Sequence, residues 1–141
     1  MPFRIAKSIT VESGHLLTKN PGACRFPHGH SRTIEIVVAS EALDPADMVC
    51  DFKMLKAAAA ETVARFDHTF ALNTADPRFA EMRNAYGERV VPFAGTDPTT
   101  EVLAREIFQA IRTQLSALAP DVKLERIRVT ETATSWAEYW E

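Results

Sequence analysis

Cysteine is scarce in this chain. Cys24 and Cys50 are the only two among 141 residues. A disulfide framework normally uses more cysteines in a smaller secreted chain, so free thiols in a reducing cytoplasm are expected. No apolar run approaches the ~20 residues needed to cross a membrane. The amino-terminal "MPFRIAKSIT" alternates where a secretory leader would carry an unbroken apolar core. A basic stripe is also missing. The 16 Lys and Arg are scattered among 19 Asp and Glu for a net charge of −3, so the electrostatic footprint of a nucleic-acid binder is not present. Without repeats, low-complexity tracts or linkers, residues 1–141 are expected to form a single domain with a packed core.

Histidine is scarce too, but it is concentrated. Of four histidines, two stand one residue apart in "CRFPHGH", residues 24–30, and the others are His15 and His68. Their surroundings are strand-like. Phe3, Ile5, Ile9 and Val11 share one parity, as do Ile34, Ile36 and Val38, which predicts strands over 3–11 and 33–39. Asp51 is placed to cap a helix over 52–66, with Phe52, Leu55, Ala59, Val63 and Phe66 on one stripe. Residues 73–79 and 84–88 read as turns, and "RVVPF" reads as a short strand. A second helix is expected to start with Asp97 as cap and Pro98 in its first turn. Its stripe is Leu103, Ile107, Ile111, Leu115 and Leu118, and Pro120 ends it. "KLERIRVTET" alternates through Ile127 and Val129 with Leu124 out of phase, and "WAEYW" can close the sheet. This order predicts an α+β fold, an antiparallel sheet covered by two helices, whose edges favour oligomerisation.

An i, i+2 pair points to one side of a strand and to diverging sides of a helix, and Pro27 and Gly29 disfavour a helix. His28 and His30 share the parity of Ile34, and His15 that of Val11, so the three imidazoles can converge from two strands. Three nitrogens with an open fourth position form a catalytic zinc arrangement. Two other readings stand beside it: solvent-facing turn histidines, and a structural zinc with Cys24 as the fourth ligand. Cys24 near a cation would have thiolate character and act as a base or nucleophile; otherwise it is a small buried apolar residue, as Cys50 is expected to be. Asp67-His68 is either a pair whose carboxylate orients the ring through a turn or an ordinary helix end. Glu131 carries the inward parity of Ile127 and Val129 and needs donors if it is buried, or else it reaches water at a strand end.

Taken together, Cys24-x3-His28-Gly29-His30, "DMVCDFKMLK" (47–56), "FDHTFALN" (66–73), "DPTTE" (97–101) and "ETATSWAEY" (131–139) resemble the 6-pyruvoyl-tetrahydropterin and 6-carboxy-tetrahydropterin synthase family. The resemblance implies the tunnelling fold: a four-stranded antiparallel sheet with two helices on one face, assembled into a trimer-based barrel and usually a homohexamer with sites at subunit interfaces. It implies Zn2+ held by His15, His28 and His30, Cys24 as base, and Asp67 and His68 as proton relay. Glu131, helped by Thr99 and Thr100, would anchor the pterin. The implied substrate is 7,8-dihydroneopterin triphosphate. Departures are local: Ser31-Arg32 follow HGH where Asn-Tyr is frequent, Val102 follows Glu101 where Asn is usual, and one extra residue lies between His68 and Leu72-Asn73. The short Cys-to-His gap resembles the queuosine-pathway branch, which makes 6-carboxy-5,6,7,8-tetrahydropterin. The 6-pyruvoyl synthase is the alternative. From another class, a cupin-type metal oxygenase or sensor shares His28-x-His30-x4-Glu35 but lacks the second half of that pattern.

Overall fold

Alternation sets the frame of the molecule. The computed structural model describes residues 1–141. In it the first two alternating segments become long strands, β1 (Phe3–His15) and β2 (His28–Ser40). They pair antiparallel without interruption from Phe3 opposite Ser40 to His15 opposite His28. β5 (Lys123–Thr132) joins the other side of β2, and β6 (Ser135–Trp140) joins β5. The out-of-phase Leu124 has a physical cause. Val37 pairs with Arg126 but Val38 with Leu124, which leaves Glu125 as the extra residue of a β-bulge. The bulge resets the alternation, so Leu124 and Ile127 both face inward at 4% and 0% exposure.

The expected four-stranded antiparallel sheet with two helices is corrected here. The sheet is six-stranded and mixed, in the order β4-β3-β1-β2-β5-β6. β3 (Thr69–Asn73) lies parallel to the end of β1, and β4 (Val90–Phe93) lies parallel to β3. Strands this short show too few alternations to announce a partner, and their direction comes from the connecting segments. There are four α-helices. The run predicted over 52–66 divides at Ala59 into α1 (Phe52–Ala58) and α2 (Ala60–Phe66). The N–H of Ala59 is shared between the carbonyls of Leu55 and Lys56 at this joint. The stretches read as turns, 73–79 and 84–88, flank and overlap α3 (Phe79–Tyr86). α4 (Thr100–Leu118) is the predicted long helix.

Asp51 caps α1 as expected, accepting from the Lys53 N–H. The α4 cap is one of the corrections. Thr99 accepts from the Val102 N–H, and Asp97 is used elsewhere. The inward faces of β1, β2 and β5 pack with α1, α2 and α4 into one cluster. Ile34, Ile36, Ile107, Ile111 and Ile127 lie at its centre. A second, small cluster of Leu16, Leu72 and Val90 seats Phe79 and Met82 of α3.

Two buried carboxylates fasten the loop that leaves β1. Asp76 accepts from Thr18 Oγ1 at 2.7 Å and from the Arg78 side chain at 3.0 Å, and Asp97 accepts from the Lys19 N–H and from Asn73 Nδ2. The Arg78 hydrogen bond, opposed in part by burial and aided by Thr18, holds the Asp76 carboxyl down at about 2. A depressed carboxyl stabilises the fold above its unfolded value of ~3.9, and that contribution disappears as pH falls through the folded value. Asp76→Asn should therefore cost about 1–2 kcal/mol at pH 7 and pH 5. The gap to wild type should close between about pH 4 and 2. Urea unfolding curves across this range check it; a gap unchanged by acid would assign the stabilisation to something other than the ionised carboxylate.

Candidate metal centre and ring-binding site

The β1–β2 register delivers three imidazoles to one place. His15 lies opposite His28, and Ser13 lies opposite His30, all on the inward parity. The ring centroids of His15, His28 and His30 are 4.6–5.1 Å apart. One ring nitrogen from each lies within 4.8 Å of the others. Both backbone-anchored rings are oriented from behind. His15 Nδ1–H donates to the Pro98 carbonyl at 2.7 Å, and His28 Nδ1–H donates to the Phe26 carbonyl at 2.7 Å. That leaves the Nε2 lone pairs free on these two rings, which is how ligating histidines are normally set. His30 Nε2 is buried with no hydrogen-bond partner.

Burial pushes the His15 imidazolium down to about 4. The Pro98 hydrogen bond opposes this shift, and the Arg32 guanidinium and the other two histidines add to it. His30 is lowered for the same first reason, then by Arg32, with Glu131 opposing. Neutral imidazoles are the form that binds a metal. The donor set therefore fits a divalent cation such as zinc, with protein nitrogens on one side and an open position on the other.

Glu131 stands beside this cluster. It is inward by parity, 34% exposed at its side chain, with Oε1 3.8 Å from His30 Nε2. The Thr100 hydroxyl donates to the same oxygen at 3.2 Å. Thr99 is committed to capping α4, and Thr100 is buried as a bracket for Glu131.

Cys24 is half-buried in a short 3-10 turn, Ala23–Arg25. Its carbonyl accepts from the Leu17 N–H at 2.8 Å, which holds the turn beside the exit of β1. The metal-competent group contains the three histidines and not Cys24. The other cysteine, Cys50, is buried and free, and burial together with Asp44 and Asp51 raises its thiol.

Asp67 and His68 meet each other through an unusual backbone. His68 has φ 58, in the left-handed region, which is uncommon outside glycine. Its N–H donates to the Glu12 carbonyl at 2.6 Å, and its own carbonyl accepts from Arg89 Nη1 at 3.0 Å. In this conformation His68 Nδ1 lies 3.1 Å from Asp67 Oδ1. The Glu12 N–H, first, and then His68 hold the Asp67 carboxyl below its usual range. His68 lines an open polar hollow with Glu12, Gly14, Gly29 and His30; Cys24 does not line it.

Sequence reasoning missed Arg32. It is 2% exposed, and it contacts both His15 and Thr100. The signal was available, because Arg32 has the inward parity of His30 and Ile34. The cupin-type alternative has no support here. Glu35, its would-be ligand, has the opposite parity to the histidines and is paired with Arg126.

Comparison with known proteins identifies the family and the fold. A family model described as 6-pyruvoyl tetrahydropterin synthase matches residues 4–141. A 6-carboxy-5,6,7,8-tetrahydropterin synthase of Aquifex aeolicus is 32% identical, over 100% of this chain and 99% of that protein. The protein of the same name from Bacillus subtilis is 28% identical over 97% of this chain and 84% of its own length. Among solved structures, an uncharacterized protein of Wolinella succinogenes superposes with a TM-score of 0.83 at 21% identity, covering 99% of this chain and 98% of that one. The 6-pyruvoyl tetrahydropterin synthase of Plasmodium vivax does so with a TM-score of 0.72 at 13% identity and the same coverage. Neither structure is close enough in sequence to carry more than the fold. With residues 4–141 matched by the family model and full-length relatives on either side, the chain belongs to the 6-pyruvoyl tetrahydropterin synthase family.

Proposed function

We propose that this chain is a zinc-dependent lyase that converts 7,8-dihydroneopterin triphosphate to 6-carboxy-5,6,7,8-tetrahydropterin. The observation that carries the reading is the cluster of three converging imidazoles, two of them oriented by backbone carbonyls, with Glu131 at its rim. Choice of the carboxy branch is supported by the Cys24-x3-His28 spacing and by the relatives that bear that name.

The chain's own residues divide the work. Glu131 offers two acceptor oxygens to the paired 2-amino and N3–H donors of a pterin, a planar match strengthened by the carboxylate charge. Thr100 fixes the orientation of that carboxylate, and Thr99 caps the start of α4, the helix that carries Thr100. His15, His28 and His30 hold Zn2+, which supplies Lewis acidity to the substrate's side-chain oxygens. Cys24 takes a proton from the activated side chain as thiolate. Asp67 keeps the proton of His68 on Nδ1, so the far nitrogen of the ring exchanges protons with the substrate. Cys24 is tied to Leu17, just beyond β1, and His68 to Glu12 within it, and Cys24 does not line the hollow beside His68, which supports a site completed at subunit interfaces. The free edges β4 and β6, with Trp136 and Trp140 exposed at 52% and 66% on β6, support a trimer-based homo-oligomer, hexameric by resemblance. No helix is long and apolar enough to cross a membrane; two free thiols support a cytoplasmic setting.

Incubation of the zinc-loaded protein with 7,8-dihydroneopterin triphosphate should consume water and yield 6-carboxy-tetrahydropterin, acetaldehyde and free triphosphate, read by mass spectrometry. A 6-pyruvoyl product would move the chain to the other branch, and no conversion would sink the lyase reading. In the same preparation, His28→Ala should lose both zinc and turnover while keeping its circular dichroism spectrum.

Cys24→Ala separates a base from a ligand. It should retain zinc and bind pterin but turn over at least ~10²-fold more slowly, the scale of a lost general base. Loss of zinc from that variant would favour the structural-site alternative.

Glu131→Gln nearly preserves shape but turns one acceptor into a donor that faces the pterin's own donors. Calorimetric titration with a non-reactive pterin should show binding weakened by about 1–3 kcal/mol with zinc content unchanged. Equal affinity would mean that the ring is read elsewhere.

A further inference from the structure

Arg32 has no place in the roles described so far, yet it is the largest polar side chain buried in the molecule. It is 2% exposed and lies one strand step inward of His30. An arginine guanidinium keeps its charge at neutral pH even when buried. No carboxylate lies within ion-pair distance of it. Glu131, the acidic neighbour, is instead reached through an intermediary. Arg32 Nη1–H donates to Thr100 Oγ1 at 3.0 Å, and the Thr100 hydroxyl donates onward to Glu131 Oε1. Nη1 also lies 3.4 Å from the Thr130 carbonyl. The other arm, Nη2, lies 3.5 Å from His15 Nδ1 and 3.4 Å from His15 Nε2. Near-equal distances to both ring nitrogens place the cation against the ring, while Nδ1 is already engaged with Pro98. Nε has no partner at all.

Burying a charge without a direct counter-ion is costly, so a chain that does so gains something where the charge sits. We propose that Arg32 is a positioning residue that couples the metal centre to the ring-binding carboxylate: its charge holds down the metal affinity of the three histidines, and its fork holds Thr100 and, through it, Glu131. The consequence is a site whose positive charge is only partly balanced until an anionic oxygen ligand enters beside the metal. The inference rests on the metal-and-pterin reading of this site.

The two halves separate by substitution. Arg32→Met removes charge and fork; Arg32→Lys keeps the charge but cannot reach His15 and Thr100 at once. Zinc affinity is read by competition with a chromophoric chelator in the absence of pterin. Pterin affinity is read by calorimetry on zinc-saturated protein with a non-reactive pterin. Arg32→Met should bind zinc at least ~10-fold more tightly than wild type, because a cation next to a ligand ring has been removed. Arg32→Lys should bind zinc like wild type. Both variants should bind the pterin roughly tenfold more weakly, because the carboxylate is no longer pre-organised. A residue that merely supported the strand would loosen zinc binding when removed, the opposite sign. Zinc binding by a folded Arg32→Met that is unchanged or weaker overturns the charge half. If Arg32→Met does not fold, Arg32→Lys decides, and full pterin affinity in that variant overturns the coupling. Wild type that binds neither zinc nor pterin would overturn the underlying reading, and this proposal with it; wild type that binds both, with zinc no tighter in Arg32→Met, overturns this proposal alone.

Discussion

Thirteen consecutive pairs join β1 to β2 without a bulge, from Phe3 opposite Ser40 to His15 opposite His28, and everything at the site depends on that register. Side chains in a strand alternate, so a slip of one residue would turn His28, His30 and Arg32 to the outer face and bring Gly29 and Ser31 inward. The apolar half of the ladder guards against this. Ile34 and Ile36 would have to leave a core in which both are fully buried. The histidine-bearing end of the strands thus inherits its precision from the packed end. The glycine pair between the histidines has a related cause. Gly14 lies opposite Gly29, and β3 runs along the other side of β1, with the ring of Phe70 laid over Gly14. A Cβ at Gly14 would stand 2.7 Å from that ring, and one at Gly29 would press on the Ser13 carbonyl at 3.3 Å. Bare backbone there lets β3 close on β1 next to the cluster.

A second constraint meets the first at the start of α4. Four consecutive residues each hold a different part of the site. Asp97 ties the loop after β1 through the Lys19 N–H; the Pro98 carbonyl fixes the His15 ring; Thr99 caps the helix; Thr100 joins Arg32 to Glu131. Because α4 buries Leu103, Ile107, Phe108, Ile111 and Leu115 in the same core as β1, β2 and β5, this segment cannot shift without disturbing the helix behind it. Small displacements at the metal and the carboxylate are thereby resisted by hydrophobic packing some distance away.

The inward parity of His15, His28, His30 and Glu131 was legible in the sequence because alternation over a long strand is a strong signal, and it located the cluster before any coordinates were available. It would have located Arg32 as well, but a charged residue at an inward position reads as an exception until its partners Thr100 and His15 are visible. β3 and α3 were not legible. "TFALN" is too short to show a period, and the buried contacts of α3 are few, Phe79 and Met82 over Leu72 and Val90. Asp97 was misread as a cap because Asp-Pro-Thr-Thr holds two good capping residues. Local chemistry cannot say that the carboxylate is needed by Lys19 and Asn73, far away in sequence. The convergence of Asp67 and His68 depends on a left-handed φ at His68, which is imposed by Glu12 and Arg89 and has no local sequence mark.

The electrostatics of the site follow from these placements. Desolvation comes first among the causes that lower His15 and His30, so the imidazoles are neutral because they are packed, and Arg32 reinforces this. Neutral nitrogens leave a bound divalent ion with its full charge, where thiolate ligands would neutralise it. A guanidinium behind His15 adds a further positive charge, and Glu131 subtracts one at the rim. With a divalent ion on the three nitrogens, the histidine end of the site would be positive and the Glu131 end negative, with Glu131 Oε1 3.8 Å from His30 Nε2. A molecule with oxygen anions at one end and a planar pair of N–H donors at the other matches that polarity in one orientation only. Reversal would set donors against the cation and oxygens against the carboxylate, so the charge pattern orients the ligand before any side chain acts on it.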